Sequence, residues 1–202
     1  MYICGTIVPY SRGIKNKNMS LIESNPFEIG KQAPNFKLPN TVDDKSYTLN
    51  QLKGKQGTAF FFICNHCPFV IHVNQELVKL ANDYAKKGIS FIAISSNDAD
   101  HYPQDGPMYM KQVAQNLNYP FPYLYDETQE VAKAYDATCT PDFYLFDSEL
   151  KSVYHGQLDS SRPHNGIPVT GKDFRNAMDL LLKNEVSANK QSPSIGCSIK
   201  WK

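Results

Sequence analysis

Residues 58–68 read Thr-Ala-Phe-Phe-Phe-Ile-Cys-Asn-His-Cys-Pro, a short apolar run stopped by a polar turn that carries two thiols and a proline. An apolar run of this length, rich in aromatic and β-branched residues, has the pattern of a buried strand. After it, Phe69, Val73, Leu77, Leu80 and Tyr84 recur at spacings of 4, 4, 3 and 4, which traces one face of a helix. Gly88 can end that helix, and Ile89–Ile94 (ISFIAI) repeats the strand pattern. The spacing therefore predicts a βαβ unit with Cys64-Asn65-His66-Cys67 at its first strand-to-helix junction.

Working outward, short apolar runs alternate with segments of helical period, the pattern of a sheet covered by helices with parallel strands. Helical spacing is expected over Met108–Leu117 and Thr128–Tyr135, and a strand interrupted by Pro122 over Phe121–Tyr125. The style then changes. Asp142–Phe146 and Lys151–His155, separated by Asp147–Leu150, read as a hairpin and hence an antiparallel pair. Thr170 and Asp173 form a Thr-x-x-Asp capping box ahead of Phe174, Ala177, Met178 and Leu181, a final amphipathic helix. Asp159 and Arg162 are expected to form a local ion pair shaping the loop after the hairpin, and His72 to lie on the polar side of its helix. The expected fold is α/β, with a central mixed sheet built from a βαβ half and a hairpin half. Residues 1–26 read as a polar arm, 27–184 as one domain, and 185–202 as a tail rich in Ser, Asn, Gln and Pro.

The chain has 202 residues, 21 Lys plus Arg against 20 Asp plus Glu, a net charge of +1 and 41% hydrophobic residues. That size suits one soluble core needing no disulfide or metal to hold it. Balanced charge without a basic cluster argues against nucleic acid or an anionic membrane surface as partner. The longest apolar run, Ala59–Cys64, is far short of the ~20 residues that span a bilayer. Five cysteines cannot all pair, and only two are close, so a secreted disulfide framework is not indicated. Arg12, Lys15 and Lys17 follow the short apolar stretch Tyr2–Pro9 instead of preceding it, which is the wrong order for a signal peptide, and a cytoplasmic location is expected. Met19 is an alternative start, and Cys4 is given no role.

A thiol attacks only as thiolate, and its pKa of about 8.5 falls at a helix N-terminus or beside a cation. Whichever cysteine of the pair lies at the first helical turn feels the dipole, His66 can supply an imidazolium, and Pro68 suits the start of a helix. Two cysteines separated by two residues can also close a disulfide across the turn. A thiolate so stabilised favours the reduced form, so His66 is expected to make the pair oxidising.

These residues resemble the thioredoxin-fold superfamily, in particular its peroxiredoxin-like branch related to alkyl hydroperoxide reductase and thiol-specific antioxidant. Gly30-Lys-Gln-Ala-Pro-Asn-Phe-Lys-Leu38 is similar to the redoxin opening strand, and Tyr47–Lys55 to the segment leading into the central strand. Cys139-Thr140-Pro141-Asp142-Phe143 is similar to the proline loop that faces the active site. The resemblance covers about Phe27 to Asn184 and implies a thiol-disulfide oxidoreductase with antioxidant activity. It also implies Cys64 and Cys67 as the catalytic pair, Thr140 and a cis Pro141 as the substrate-docking loop, and no organic cofactor. The implied partners are protein thiols, disulfides or hydroperoxides, with an external dithiol as reductant.

Two polarities stay open. Peroxiredoxins resemble the chain at Cys67-Pro68, which makes Cys67 the residue that meets peroxide; their Thr three positions earlier is Cys64 here, their Pro seven earlier is Phe60, and their active-site Arg falls at about Pro141. A thioredoxin-type reading makes Cys64, at the exposed end of the turn, the attacking thiol and Cys67 the resolving one. Cys139 reads first as a small buried residue, and Cys197 as an accessible thiol in a mobile tail, somewhat activated by Lys200 and Lys202; it is either simply exposed or, in the way some peroxiredoxins use a C-terminal thiol, resolves an oxidised active-site cysteine. The competing reading is a metallochaperone or metal-binding module in which Cys64, Cys67, Cys139 and His66 hold copper or zinc.

Overall fold

The computed structural model describes residues 21–185 and 191–202. Cys4, Met19 and the first twenty residues of the expected arm lie outside the described residues. Ten strands occur among those described: β1 (Leu21–Glu23), β2 (Lys37–Pro39), β3 (Ser46–Thr48), β4 (Gly57–Phe62), β5 (Ile89–Ser95), β6 (Tyr123–Tyr125), β7 (Cys139–Thr140), β8 (Asp142–Asp147), β9 (Ser152–Gly156) and β10 (Ile195–Ser198). The helices are α1 (Leu49–Leu52), α2 (Pro68–Ala85), α3 (Pro107–Asn116), α4 (Glu130–Ala134) and α5 (Lys172–Leu182).

The main sheet has the order β6-β5-β4-β8-β9. β4, β5 and β6 are parallel, whereas β8 runs antiparallel to β4 and β9 antiparallel to β8. The two halves expected from the sequence thus meet along β4. That strand is buried over its whole length, and its alternation sends Ala59 and Phe61 to one core and Phe60 and Phe62 to the other. Phe61 meets the rings of Phe91, Phe121, Phe143 and Phe174 at 5.7–6.0 Å, while Phe60 packs against Phe36, Tyr135 and Phe146 on the opposite face. With both faces covered, β4 is a fixed platform, and its C-terminal end delivers the Cys64–Cys67 turn to the start of α2.

Three expectations fail for local reasons. The tail does not hang free: β10 pairs antiparallel with β1 on one side and β7 on the other. Leu21–Glu23, placed in the arm by sequence, is therefore part of a three-stranded sheet. The capping box ahead of α5 does not form, because Gly171 (φ +65°) takes the cap position. The backbone N–H groups of Thr170 and Gly171 instead donate to Asp159, at 2.7 and 2.6 Å. With its carboxylate engaged there, Asp159 offers Arg162 only its backbone carbonyl, at 2.6 Å, and the expected side-chain ion pair is absent among the described residues.

Candidate active site

Cys64 follows the end of β4, and Cys67 is the N-cap of α2 with Pro68 in the first turn. The backbone N–H groups of Val70 and Ile71 point back to the Cys67 carbonyl, at 3.0 Å each. Both thiols are buried, Cys64 at 1% exposure and Cys67 at 0%. The exposed position expected for Cys64 is thus corrected: the turn is closed over by the loop of Asp105 and by the strand that carries Thr140.

Thr140 touches both sulfurs. Its hydroxyl lies 3.5 Å from Cys64 Sγ and its carbonyl 3.2 Å from Cys67 Sγ, and the Thr140–Pro141 peptide is cis. Cys197, expected to be accessible, is 2% exposed, and its Sγ lies 2.8 Å from Cys67 Sγ. The reason is the register of β10, which sets Cys197 opposite Thr140. Cys139 is buried and directs its thiol to the Pro141 carbonyl at 3.8 Å.

The electrostatics separate the thiols. Cys67 is held well below the usual thiol range by its hydrogen bonding with Cys197 and Cys64, aided by the backbone N–H of Val70, against the opposing effect of burial. Its place at the positive end of an eighteen-residue helix acts in the same direction. Cys64 is pushed well up by its hydrogen bond to Cys67, by burial and by the charge of Asp105. Cys197 is raised by its bond to Cys67 and by burial, with Lys200 opposing, and Cys139 mainly by burial. Of these four thiols, Cys67 is the one whose surroundings favour ionisation.

His66, expected to supply an imidazolium to the pair, is engaged by Asp105 and Tyr102. Its Nδ1 meets Asp105 Oδ2 at 2.6 Å, and its ring stacks on Tyr102 at 5.6 Å. Asp105 is 0% exposed and also accepts the backbone N–H groups of Asn65, at 2.8 Å, and His66, at 3.3 Å, and the Asn97 amide at 2.8 Å. This carboxylate holds the Cys-x-x-Cys turn from behind, and the sequence reading missed it. Asp105 lies in a Pro-Gln-Asp-Gly-Pro stretch that reads as a turn, forty residues from the atoms it binds.

The four-ligand soft-metal set does not assemble. Among the described residues the group of three or more ligand atoms lying within 4.8 Å of one another is Cys64, His66 and Asp105, without Cys67 or Cys139. His72, expected on the polar side of α2, is partly buried and bonds Ser161 Oγ at 2.6 Å.

A family model described as AhpC/TSA matches residues 29–155, more than half of the chain. The chain belongs to the AhpC/TSA family. This AhpC/TSA member is similar to an uncharacterized conserved protein from Geobacillus kaustophilus, with 63% identity and a TM-score of 0.90 over 92% of this chain and 98% of that one. It is also similar to a hypothetical protein from Sinorhizobium meliloti, with 44% identity and a TM-score of 0.87 over 89% and 98%. A thiol:disulfide interchange protein of the thioredoxin family from Chlorobium tepidum shares 16% identity at a TM-score of 0.59 over 78% and 99%, a likeness of fold alone. No curated protein matches. The AhpC/TSA chain is thus a peroxiredoxin-like redoxin on a thioredoxin-like fold, and its helices, among the described residues, include none long and apolar enough to cross a membrane.

Proposed function

We propose that this protein is a thiol peroxidase in which Cys67 is the attacking thiolate and Cys64 the thiol that closes the disulfide. The observation that carries the reading is the Cys67 sulfur itself, seated at the N-terminus of α2, 2.8 Å from a second thiol, and held well below the usual thiol range. A thiolate is the reactive form, and Cys64, raised for the same reason, remains protonated beside it.

The burial of both sulfurs favours a small oxidant over a protein disulfide. Docking an extended peptide beside Thr140 requires an open strand edge, and the edge of β7 next to the thiols already carries β10. A hydroperoxide needs neither. The thiolate attacks the terminal peroxide oxygen, an S–O bond forms as the O–O bond breaks, and the alkoxide leaves and takes up a proton. Cys64 sulfur then attacks the sulfenic sulfur, the S–S bond forms, and the hydroxyl leaves as water with the proton from Cys64. An external dithiol restores both thiols by exchange.

The test is hydroperoxide consumption with a small dithiol as reductant. Cys67→Ser is expected to abolish turnover, whereas Cys64→Ser still yields a Cys67 oxidised by peroxide. Undiminished consumption by Cys67→Ser overturns the assignment.

A further inference from the structure

Cys197 is placed with more care than a tail residue needs. The strand that carries it is held on both sides: Cys197 lies opposite Leu21 in β1 and opposite Thr140 in β7. Before it, Ser194 and Ser24 exchange hydrogen bonds, from Ser24 N to Ser194 O at 2.9 Å and from Ser194 N to Ser24 Oγ at 3.0 Å. After it, Ile199 N donates to Thr138 O at 2.8 Å, Lys200 N to Asn97 Oδ1 at 2.9 Å, and Asp98 N and Gln129 Nε2 to Lys200 O at 2.8 Å each. Between these clamps, Gly196 lets the strand settle onto the proline loop, since a Cβ there would stand 2.0 Å from the Thr140 carbonyl oxygen. The outcome is a second sulfur 2.8 Å from Cys67 Sγ, closer than unbonded sulfur atoms normally approach and within a side-chain rotation of the about 2 Å of a disulfide.

We propose that Cys197 is a third redox thiol of this site, so that Cys67 forms its disulfide with either Cys64 or Cys197. The inference rests on the reading of Cys67 as the residue that is oxidised. Two balanced steps lead to the second bond. In one, Cys197 sulfur attacks the Cys67 sulfenic acid, the S–S bond forms, and the hydroxyl departs as water with the Cys197 proton. In the other, Cys197 attacks the Cys67 sulfur of a Cys64–Cys67 disulfide; the 67–197 bond forms as the 64–67 bond breaks, and Cys64 leaves as thiolate and takes up the proton released by Cys197. The second step consumes no oxidant. Its product fastens β10 to the start of α2 and returns Cys64 to the thiol form while the chain remains oxidised.

Peptide mapping decides the matter, because Cys64 and Cys67 share the tryptic peptide 56–79 and Cys197 lies on 191–200. The full chain is treated with one equivalent of hydrogen peroxide, its remaining thiols are blocked, and it is digested without reduction. Wild type is expected to give the cross-linked pair of peptides beside the internally bridged 56–79, and Cys64→Ser to give the cross-linked pair as its main oxidised product. Absence of the cross-link from both, with Cys67 of Cys64→Ser captured by a sulfenic-acid reagent, overturns the third thiol and leaves Cys67 as the oxidised residue. A cross-link in neither, no internally bridged 56–79 in wild type and no reagent on Cys67 of Cys64→Ser removes the reading of Cys67 as well. The wild-type map needs no substitution, so a variant that folds poorly does not decide the result.

Discussion

Asp105 shows how a single buried carboxylate sets the chemistry of the turn. It accepts from the backbone of Asn65 and His66, from the Asn97 amide, and meets the His66 ring. Its charge is also one of the groups that push the Cys64 thiol up. Replacing it with Asn keeps an acceptor for the backbone while removing the charge. In a Cys67→Ser background, Asp105→Asn is therefore expected to lower the pH at which Cys64 ionises, giving roughly tenfold more thiolate at a given pH, the effect of one close charge. Ultraviolet thiolate absorbance followed against pH measures it, and an unmoved curve shows that Asp105 acts on the backbone alone. The thiols were legible in the sequence because everything that identifies them is local: a strand, two cysteines and a proline within eleven residues. Asp105 was not, since Asn65 and His66 come from the other side of β5, 40 and 39 residues away, and no spacing along the chain connects it to them.

At the scale of elements, β10 is the piece that pattern reading could not supply. Ile195-Gly-Cys-Ser198 is four residues long, carries one aliphatic side chain and follows a polar segment, so it lacks the alternation that marks a strand. Its pairing is imposed by tertiary contacts on both edges, and that is why Cys197 read as exposed. Gly196 is the residue on which this depends. Its φ is not in the left-handed region, so it is required for space and not for conformation. Gly196→Ala is expected to lift β10 from Thr140, cost about 1–3 kcal/mol as an overpacked site does, and expose both Cys67 and Cys197. Native-state alkylation read by mass should then label Cys67 severalfold faster than in wild type, and unchanged labelling means that the strand does not cover the thiol. The cap of α5 teaches the same lesson from the other end: Thr170 and Asp173 have the spacing of a box, but Asp159, eleven residues away, takes the Thr170 N–H first.

For the whole molecule, β4, α2, β5 and the hairpin were readable because each buries a face with its own period, and a core with two sides leaves little choice of arrangement. The same burial encloses many weak acids. Tyr84 is pushed up to about 12, and Tyr119, Tyr123, Tyr135, Tyr144 and Tyr154 are raised as well, in each case chiefly by burial. Cys64, Cys139 and Cys197 are raised with them. In the unfolded chain these thiols titrate near 9.0 and the tyrosines near 10.0, while in the fold they keep their protons. Below pH 9 both states are protonated and the stability is fully present. Above it the unfolded state binds fewer protons than the folded one, so stability falls as pH rises, by up to about 1.4 kcal/mol per pH unit for each fully buried group. Cys67 has the opposite sign: its lowered pKa contributes stability that is complete above pH 9 and declines as pH falls toward the folded value. The reduced protein is therefore expected to be most resistant to urea at about pH 8–9 and to lose resistance steeply by about pH 11. A midpoint that stays level across that alkaline interval contradicts the enclosure of these groups, and a midpoint in Cys67→Ser that no longer rises from pH 6 to 8 isolates the share that belongs to the thiolate.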